Sequence, residues 1–374
     1  MGARRRNAKA VTVAAAVLFA VRAEGASQVE PIARLTLEGG YDSNVLYDAR
    51  GGEGMGRVSP DLGVRVRDHT YDLKLAAGGD LLMYPQRDGG TVWNQRGEGS
   101  LAARLAPRLT LDAEAKGTYA LDPIGLARVG IFTPQQGSVL LLGAKARLAW
   151  RMDHPWTIAG TFEEHLVRFS DGSGGAAHTP GLEVTRRVDH RLEAGATYRF
   201  DVFQGLGASA GGAAYAHEAL GIVRWRWTRR LTLEATGGPA LWRGQADTWV
   251  LPQAGVQLFG QWRRADLRLS LRHGVGLGIN ATPGLFDSAE AAVTMRLGRS
   301  WAIHADGGLW RSGAPPWGSD AVLGYGIEGE ISYRVTRDVR LGLGASRFAR
   351  ADAGASRFDR DVVGLRLTWE LAHR

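Results

Sequence analysis

The feature that most constrains this chain is an alternation of apolar and polar residues that recurs along its length. In residues 109–116 and 267–272, leucine or alanine occupies every second position, and charged or hydroxyl-bearing residues stand between them. Successive side chains of a β-strand point to opposite faces, so each such segment is predicted to be a strand with one apolar and one polar face. No change of composition divides the 374 residues, which favours a single all-β domain.

The connections between the predicted strands alternate in length. Eight tight turns lie near residues 67–69, 107–108, 153–154, 188–190, 228–230, 264–266, 299–300 and 336–338. Nine longer loops lie near residues 47–55, 85–90, 122–137, 170–178, 202–211, 243–248, 280–284, 312–319 and 349–358. Short turns at one end and longer loops at the other are typical of bacterial outer-membrane barrels. We therefore predict a transmembrane antiparallel up-and-down β-barrel of about 18 strands, with periplasmic turns and extracellular loops.

The N-terminus has the features of a secretory signal peptide. Basic residues at positions 4–6 and 9 precede an apolar stretch over residues 11–21, and small residues follow, which predicts cleavage after Ala23. The apolar stretch is shorter than the roughly 20 residues that a membrane-spanning helix needs. The predicted organisation is a signal peptide over residues 1–23, a short periplasmic segment over 24–31 and the barrel over 32–374. This predicts an outer-membrane location after cleavage.

Charge and cysteine content exclude several classes of protein. The formal net charge is +8, but the predicted signal peptide carries four arginines and one lysine without an acidic residue, which leaves +3. That excess is too small to indicate a nucleic-acid-binding protein. Cysteine is absent, so disulfides and thiolate metal sites are excluded.

The polar faces of the strands supply the candidate pore-lining residues, because a membrane barrel turns its apolar faces to lipid and its polar faces to the lumen. The charged residues assigned to the lumen are Arg65, Lys74, Glu114, Lys116, Lys145, Arg147, Arg199, Glu234, Arg268, Arg272, Glu328, Glu330, Arg340 and Arg366. Both signs are present, which fits a self-neutralising hydrated wall, a conduit for a hydrophilic solute, or both. A barrel of this size leaves an aqueous channel unless a segment fills it.

Tryptophan is concentrated near the predicted strand ends. Those near the tight turns or the C-terminus are Trp150, Trp156, Trp225, Trp227, Trp262, Trp301 and Trp369, and those near the longer loops include Trp93, Trp242, Trp249 and Trp310. Amphipathic aromatic residues form girdles where a barrel crosses the two membrane interfaces. All eleven are therefore predicted to be membrane-interface residues, and ordinary packing at strand ends is the alternative.

The sequence predicts no catalytic site, metal site or cofactor. Its nine histidines are scattered without a metal-binding spacing. The most suggestive segment contains Glu163, Glu164 and His165, but on a strand Glu164 points away from the other two. The glycine-rich segments 205–207 and 274–278 do not match a phosphate-binding loop followed by a helix. We therefore expect that the protein is not an enzyme.

The first predicted strand contains the stretch Gly40-Tyr41-Asp42-Ser43-Asn44-Val45. This stretch resembles the opening strand of outer-membrane β-barrel porins that accompany exopolysaccharide synthesis and export systems. The resemblance covers only this segment, and related openings occur in other barrels such as surface-lipoprotein assembly modifiers. It implies a conduit that exports a polysaccharide across the outer membrane, together with a periplasmic polysaccharide-export protein.

Three functions remain open from the sequence. The first is the polysaccharide-export conduit, and the second is a passive diffusion porin for small hydrophilic solutes. The third is a closed barrel with a structural or assembly role. A diffusion porin usually carries a long inward-folded loop, and the longest candidate, residues 122–137, is modest. The expected partners are outer-membrane lipid and the solute in transit, with no nucleic acid.

Overall fold

The fold is one closed antiparallel sheet of 18 strands, seen in a computed structural model. The model describes residues 28–44, 51–86, 90–121, 137–152, 155–207, 213–244, 247–278, 283–313, 321–352 and 358–371. The strands are β1 (Gln28–Asp42), β2 (Glu53–Arg67), β3 (Tyr71–Met83), β4 (Thr91–Ala106), β5 (Leu109–Ala120), β6 (Val139–Arg151), β7 (Trp156–Phe169), β8 (Gly174–Arg187), β9 (Leu192–Leu206), β10 (Ala214–Thr228), β11 (Leu231–Arg243), β12 (Thr248–Gln261), β13 (Ala265–Leu277), β14 (Pro283–Leu297), β15 (Trp301–Gly313), β16 (Val322–Arg334), β17 (Val339–Asp352) and β18 (Phe358–Glu370).

Each strand pairs with its neighbours in chain order, and β1 pairs with β18 to close the sheet. The closing seam runs from Arg34 opposite Glu370 to Asp42 opposite Val362. Closure pairs the first strand with the last, so neither is left as a free sheet edge, which meets the main requirement for a strand structure in a bilayer. The predicted 18-strand up-and-down barrel is confirmed. Within the described ranges, no helix is long and apolar enough to cross a membrane.

Seven of the eight tight turns lie where the sequence predicts them, at one end of the barrel, and they occupy residues 68–70, 107–108, 188–191, 229–230, 262–264, 298–300 and 335–338. The turn predicted at residues 153–154, between β6 and β7, lies outside the described residues. In the turn between β8 and β9, the carboxylate of Asp189 accepts hydrogen bonds from the backbone N–H groups of Arg191 and Leu192, at 2.5 and 2.8 Å. These bonds hold the pKa of Asp189 below its ordinary value. In the next-to-last turn, Gly298 adopts a φ of 74°, a conformation that glycine accepts without strain.

The loop end is less regular than the sequence predicts. The connections 170–173 and 244–247 are as short as the turns, whereas residues 121–138 connect β5 to β6. The start of the barrel also differs from the prediction, because β1 begins at Gln28 and residues 28–31 pair with β2 instead of forming a separate periplasmic segment. The predicted signal peptide lies outside the described residues.

Prolines within strands coincide with interruptions in the strand pairing. Between β2 and β3 the pairing skips Ser59 and Pro60, and between β8 and β9 it skips Pro180. Pro239 and Pro252 face each other across β11 and β12, and Pro239 is skipped in the pairing of β11 with β10. Proline has no N–H to donate to a ladder, so these positions lose a hydrogen bond without losing the register.

Strand register divides the side chains into an outer, mostly apolar face and an inner, mostly polar face. Most of the exposed large apolar side chains lie on the outer face, including Leu62, Val250, Ile327, Leu343 and Leu365. The inner face carries cross-strand pairs of charged residues, such as Glu114 opposite Lys145 and Glu98 opposite Lys116. The exposed apolar face is the surface that lipid covers in a membrane barrel.

The hairpin of β13 and β14 leaves the barrel wall near the loop end and turns into the lumen. β12 pairs with β13 only as far as Ala254 opposite His273, although β13 continues to Leu277. Cα atoms of β13 come within 8 Å of β8, which is five strands away in the sheet. Gly274 has a φ of 157°, which L-residues with a side chain rarely adopt, so glycine suits this inward path.

Candidate functional site: the lumen

The structure places all fourteen charged residues assigned to the lumen on the inner face. Register links them across neighbouring strands, as in the pairs Arg65 opposite Lys74 and Glu114 opposite Lys145. Arg366 reaches Glu328 at 3.3 Å and Glu330 at 2.8 Å from the same face. These residues therefore share one polar wall that runs around the inside of the barrel.

A cavity of 730 Å³ occupies the middle of the lumen along β2–β11. Six basic residues line it, namely Arg65, Lys74, Lys145, Arg147, Arg199 and Arg224. Six acidic residues also line it, namely Asp72, Asp112, Glu114, Glu163, Glu183 and Glu234. The charges of this part of the wall cancel, because six positive and six negative groups leave a formal charge of zero.

Arg224 is the centre of the ion-pair network in this cavity. Its guanidinium contacts Glu183 at 2.9 Å, Glu193 at 3.1 Å and Glu234 at 2.8 Å. Arg147 contacts the same Glu183 at 2.9 Å from the opposite side. Charge-assisted hydrogen bonds thus connect β6, β8, β9, β10 and β11, and they hold these side chains against the wall.

A second network joins the two ends of the chain across the closing seam. Glu38 on β1 is contacted by Arg57 at 3.5 Å and by Arg366 at 3.1 Å. Arg57 and Arg96 both bind Asp80, at 2.9 and 2.7 Å. These ion pairs therefore connect the inner wall from β18 through β1 to β4. Of the five residues in this network, the sequence analysis assigned only Arg366 to the lumen.

The loop end of the lumen differs from the middle, because four groups of apolar side chains line parts of it, with buried charged residues such as Asp42, Glu218 and Arg360 between them. We call these apolar side chains the apolar collar. Its buried members are Ala177, Phe203, Ala214, Ala216, Trp242, Leu251 and Val275; Met55, Leu82, Tyr84, Val92 and Val362; Trp310 and Phe348; and Val139 and Val167. The inward-turned Val275 is 1% exposed and packs with the largest of these groups.

The structure corrects the interface prediction for three tryptophans. Trp242 and Trp310 are only 5% and 4% exposed, and both belong to the collar inside the lumen. Trp242 packs against Phe203 with ring centroids 5.4 Å apart, and Trp310 donates its indole N–H to Glu290 at 3.1 Å. Trp249 lies opposite Trp242 in the β11–β12 register, so it too is on the inner face. Trp242 and Trp310 pack inside the lumen, and Trp249, which is 38% exposed, faces it, so none of the three lies on the lipid-facing side.

Of the eleven tryptophans predicted at the interface, the other eight lie on the outside or at a turn. Trp150, Trp156, Trp225, Trp227, Trp262, Trp301 and Trp369 are exposed near the turn end, and Trp93 is exposed near the loop end. Trp225 and Trp227 stack with centroids 5.5 Å apart. At the loop end the outer face carries Tyr41, Tyr119 and Tyr215, which the sequence analysis did not assign. Alternate positions of a strand face opposite sides of the sheet, and this alternation separates the outward tyrosines from the inward Trp242. Nearness to a loop does not separate them, because all four lie near the loop end.

Residues of the opening-strand motif form an ion pair and hydrogen bonds with the last strand. The carboxylate of Asp42 accepts a hydrogen bond from Arg360 at 3.0 Å. Ser43 exchanges hydrogen bonds with the backbone of Asp361, and the amide of Asn44 donates to the carbonyl of Asp359 at 2.7 Å. These contacts give three motif residues a role in closing the barrel at the loop end.

The Glu163–His165 segment divides between the two faces as alternation requires. Glu163 lies in the lumen, 3.6 Å from Arg199, whereas Glu164 points outward and contacts His178 at 3.3 Å. Within the described residues, no group of three histidine, aspartate or glutamate side chains is placed to hold a metal ion. The charged side chains of the lumen wall are mostly engaged in ion pairs with one another.

A closed sheet with an even number of strands, an apolar outside and a charged inside is the construction of a transmembrane β-barrel. Barrels of this construction are proteins of the bacterial outer membrane, and this is the class and location of the chain.

Comparison with known proteins gives structural likenesses only. No family model matches the sequence, and no curated protein matches it. Among solved structures, it is similar to a BenF-like porin from Pseudomonas fluorescens Pf-5, with 12% identity, a TM-score of 0.44, and coverage of 92% of this chain and 99% of that chain. It is also similar to OpdQ from Pseudomonas aeruginosa, with 9% identity, a TM-score of 0.45, and coverage of 92% and 97%. Likenesses at this level do not bear on the solute.

Proposed function

We propose that this barrel is an outer-membrane conduit for the export of a polysaccharide. The observation that carries the proposal is the asymmetry of the lumen. Its wall is hydrated and charged from the turn end to the middle, whereas at the loop end groups of packed apolar side chains, interspersed with buried ion pairs, narrow it. With the turns on the periplasmic side, a hydrated solute enters a polar passage from inside the cell and meets the collar last.

The charged wall suits a polyhydroxylated chain. Ion pairs such as Arg224 with Glu183 present hydrogen-bonding groups that are already held in place. A polymer that slides past such a wall exchanges hydrogen bonds with it continuously, and no single contact is strong enough to hold it. The apolar collar would separate to let the chain out, and would otherwise close the lumen against solutes from outside.

A periplasmic polysaccharide-export protein is part of the proposal as the partner that delivers the polymer. The side of the barrel available to it is the turn end, where the tight turns leave the lumen wall close to the periplasm. The resemblance of the opening strand to barrels of exopolysaccharide systems supports the same assignment.

Passive diffusion of small hydrophilic solutes is the second candidate, and the balanced charge of the middle cavity favours it. The apolar collar distinguishes export from passive diffusion by the ion conductance expected in the resting state. A diffusion porin conducts ions in the resting state, whereas an export conduit with a packed collar conducts poorly until the collar opens. A closed structural barrel would conduct under neither condition.

The test is a clean deletion of the gene, with surface polysaccharide quantified by dye binding and by sugar analysis of the cell exterior. Loss of surface polymer that the intact gene restores supports export. Unchanged polymer refutes export, and single-channel conductance of the purified barrel in planar bilayers then distinguishes a diffusion porin from a closed barrel. A variant with an intact fold but a blocked lumen, for example with a large side chain at Thr236, provides the matched control for loss of the barrel itself.

A further inference from the structure

A cavity of 320 Å³ lies on the lumen wall at the turn end, between β4 and β10. We call it the turn-end cavity. Its arginines are Arg104, Arg108, Arg147, Arg151, Arg187 and Arg224. The single acidic residue in its lining is Glu193, so the formal charge of the lining is six minus one, or +5. The middle cavity, by contrast, is neutral.

The acidic residue of the turn-end cavity is already engaged. Glu193 contacts Arg224 at 3.1 Å, and Arg147 and Arg224 both contact Glu183 deeper in the wall. Across the described ranges, the ion pairs of this part of the wall involve Arg147 and Arg224, and none involves Arg104, Arg151 or Arg187. All three are exposed on the inner face near the ends of β4, β6 and β8.

Unpaired arginines that share one concave wall repel each other, and an anion between them relieves this repulsion. The guanidinium group presents a planar fork of N–H donors that matches the two oxygens of a carboxylate or phosphate. In the middle cavity, by contrast, Arg65 pairs with Asp72, Arg199 with Glu163, and Arg147 and Arg224 with Glu183. The turn-end cavity therefore presents donors that the protein itself leaves available.

We propose that the turn-end cavity is an anion-binding site and that the solute of this barrel is acidic, carrying carboxylate or phosphate groups. This deepens the proposed export function and rests on it for the direction of travel. Acidic groups of a polymer bind first at the periplasmic end, which raises the local concentration of the chain there. The neutral middle of the lumen then lets it pass, because it offers no excess charge to retain it.

The test measures binding to the purified full-length barrel in detergent micelles by isothermal titration calorimetry. The probes are an oligogalacturonate, an oligomer of glycerol phosphate, and a maltooligosaccharide of similar length as the neutral comparison. The variant is the triple substitution Arg104→Gln, Arg151→Gln and Arg187→Gln. The matched control is Arg168→Gln, Arg243→Gln and Arg311→Gln, which removes the same charge from exposed arginines on the outer face.

We expect an acidic oligomer to bind the unaltered barrel and the control, and to bind the lumen variant about tenfold or more weakly. Binding should weaken with added salt, and the neutral oligomer should not bind at this site. Preference for one acidic probe identifies carboxylate or phosphate as the source of the anion. Equal affinity of the lumen variant and the control for both acidic probes, or no binding of either probe, overturns the proposal.

The outcome is separable from that of the export function. If the deletion strain keeps its surface polymer while the lumen variant loses acidic-oligomer binding, the anion site stands and export fails. If the deletion strain loses its polymer while the lumen variant binds as the control does, export stands and the acidic-solute inference fails. Heat-induced mobility shifts of the variant on gels establish that its barrel is folded.

Discussion

Arg360 of β18 and Asp42 of β1 form an ion pair whose two side chains are both completely buried, with Nε of Arg360 3.0 Å from Oδ1 of Asp42. The pair closes the sheet between its first and last strands at the loop end, where the hydroxyl of Tyr84 also donates to Asp42 at 3.3 Å. This buried contact thus adds to the backbone ladder and to the Glu38–Arg366 ion pair in holding together two strands that are far apart in the sequence.

Substitution of Arg360 by Gln should destabilise the barrel by about 3–5 kcal/mol, because it leaves a buried carboxylate without its partner. Urea unfolding from lipid vesicles, followed by tryptophan fluorescence, measures the change. The matched control is Arg34→Gln, which removes the ion pair of Arg34 with Glu370 on the same seam, at 3.2 Å and about half exposed. That control should cost less than about 1 kcal/mol. Equal losses for the two variants would contradict the assigned role of Asp42.

Replacing Arg224 by Gln should lower the free energy of unfolding by about 2 kcal/mol, because Glu183 and Glu234 lose charge-assisted hydrogen bonds. Arg224→Lys should recover less than half of the loss, since an ammonium group cannot reach three carboxylates in fork geometry. Arg268→Gln, which removes a lumen arginine that lies over the ring of Phe259, serves as the comparison. A Lys variant as stable as the unaltered protein would show that charge alone is sufficient.

Substitution of Val275 by Asp should open the apolar collar. A carboxylate at this 1%-exposed position cannot stay against Phe203 and Trp242 without water, so the inward hairpin should separate from the opposite wall. We expect higher single-channel conductance in planar bilayers and faster swelling of proteoliposomes in small sugars. Thr236→Asp, which adds the same charge to the wall of the middle cavity, should leave conductance within about twofold. Unchanged conductance of the Val275 variant would mean that the collar does not close the lumen.

Lipid contact of the tryptophans should follow the face on which each one lies. Phosphatidylcholine brominated on its acyl chains quenches indole rings that touch lipid. Trp225→Phe should lower the fraction of quenchable fluorescence, because Trp225 is exposed on the outer face. Trp242→Phe should raise that fraction, because it removes a ring that lies in the lumen. A fall in both variants would place Trp242 in contact with lipid.

Sequence alternation was sufficient to predict the barrel and the inner face of its wall. Arg268, Ser270 and Arg272 alternate with leucines, and this period of two assigns faces without any tertiary information. The same parity was available for Arg224, which alternates with Trp225 and Trp227 and was missed. Trp242 and Trp310 were wrongly predicted to lie at the membrane interface, because the prediction relied on their nearness to a loop. Their positions in the alternation of the strand, which decide the face, put both in the lumen.

What the sequence determined by itself is local: the strands, their count, the tight turns and the division of side chains between two faces. These follow from the geometry of single strands and from turn residues, which act over a few positions. Only the tertiary structure decided that β13 leaves the wall beside Gly274 to complete an apolar collar, that Asp42 meets Arg360, and that Arg104, Arg151 and Arg187 share one cavity. The reason is physical: each of these depends on contacts between strands that are distant in the chain, and closure of the sheet alone brings them together.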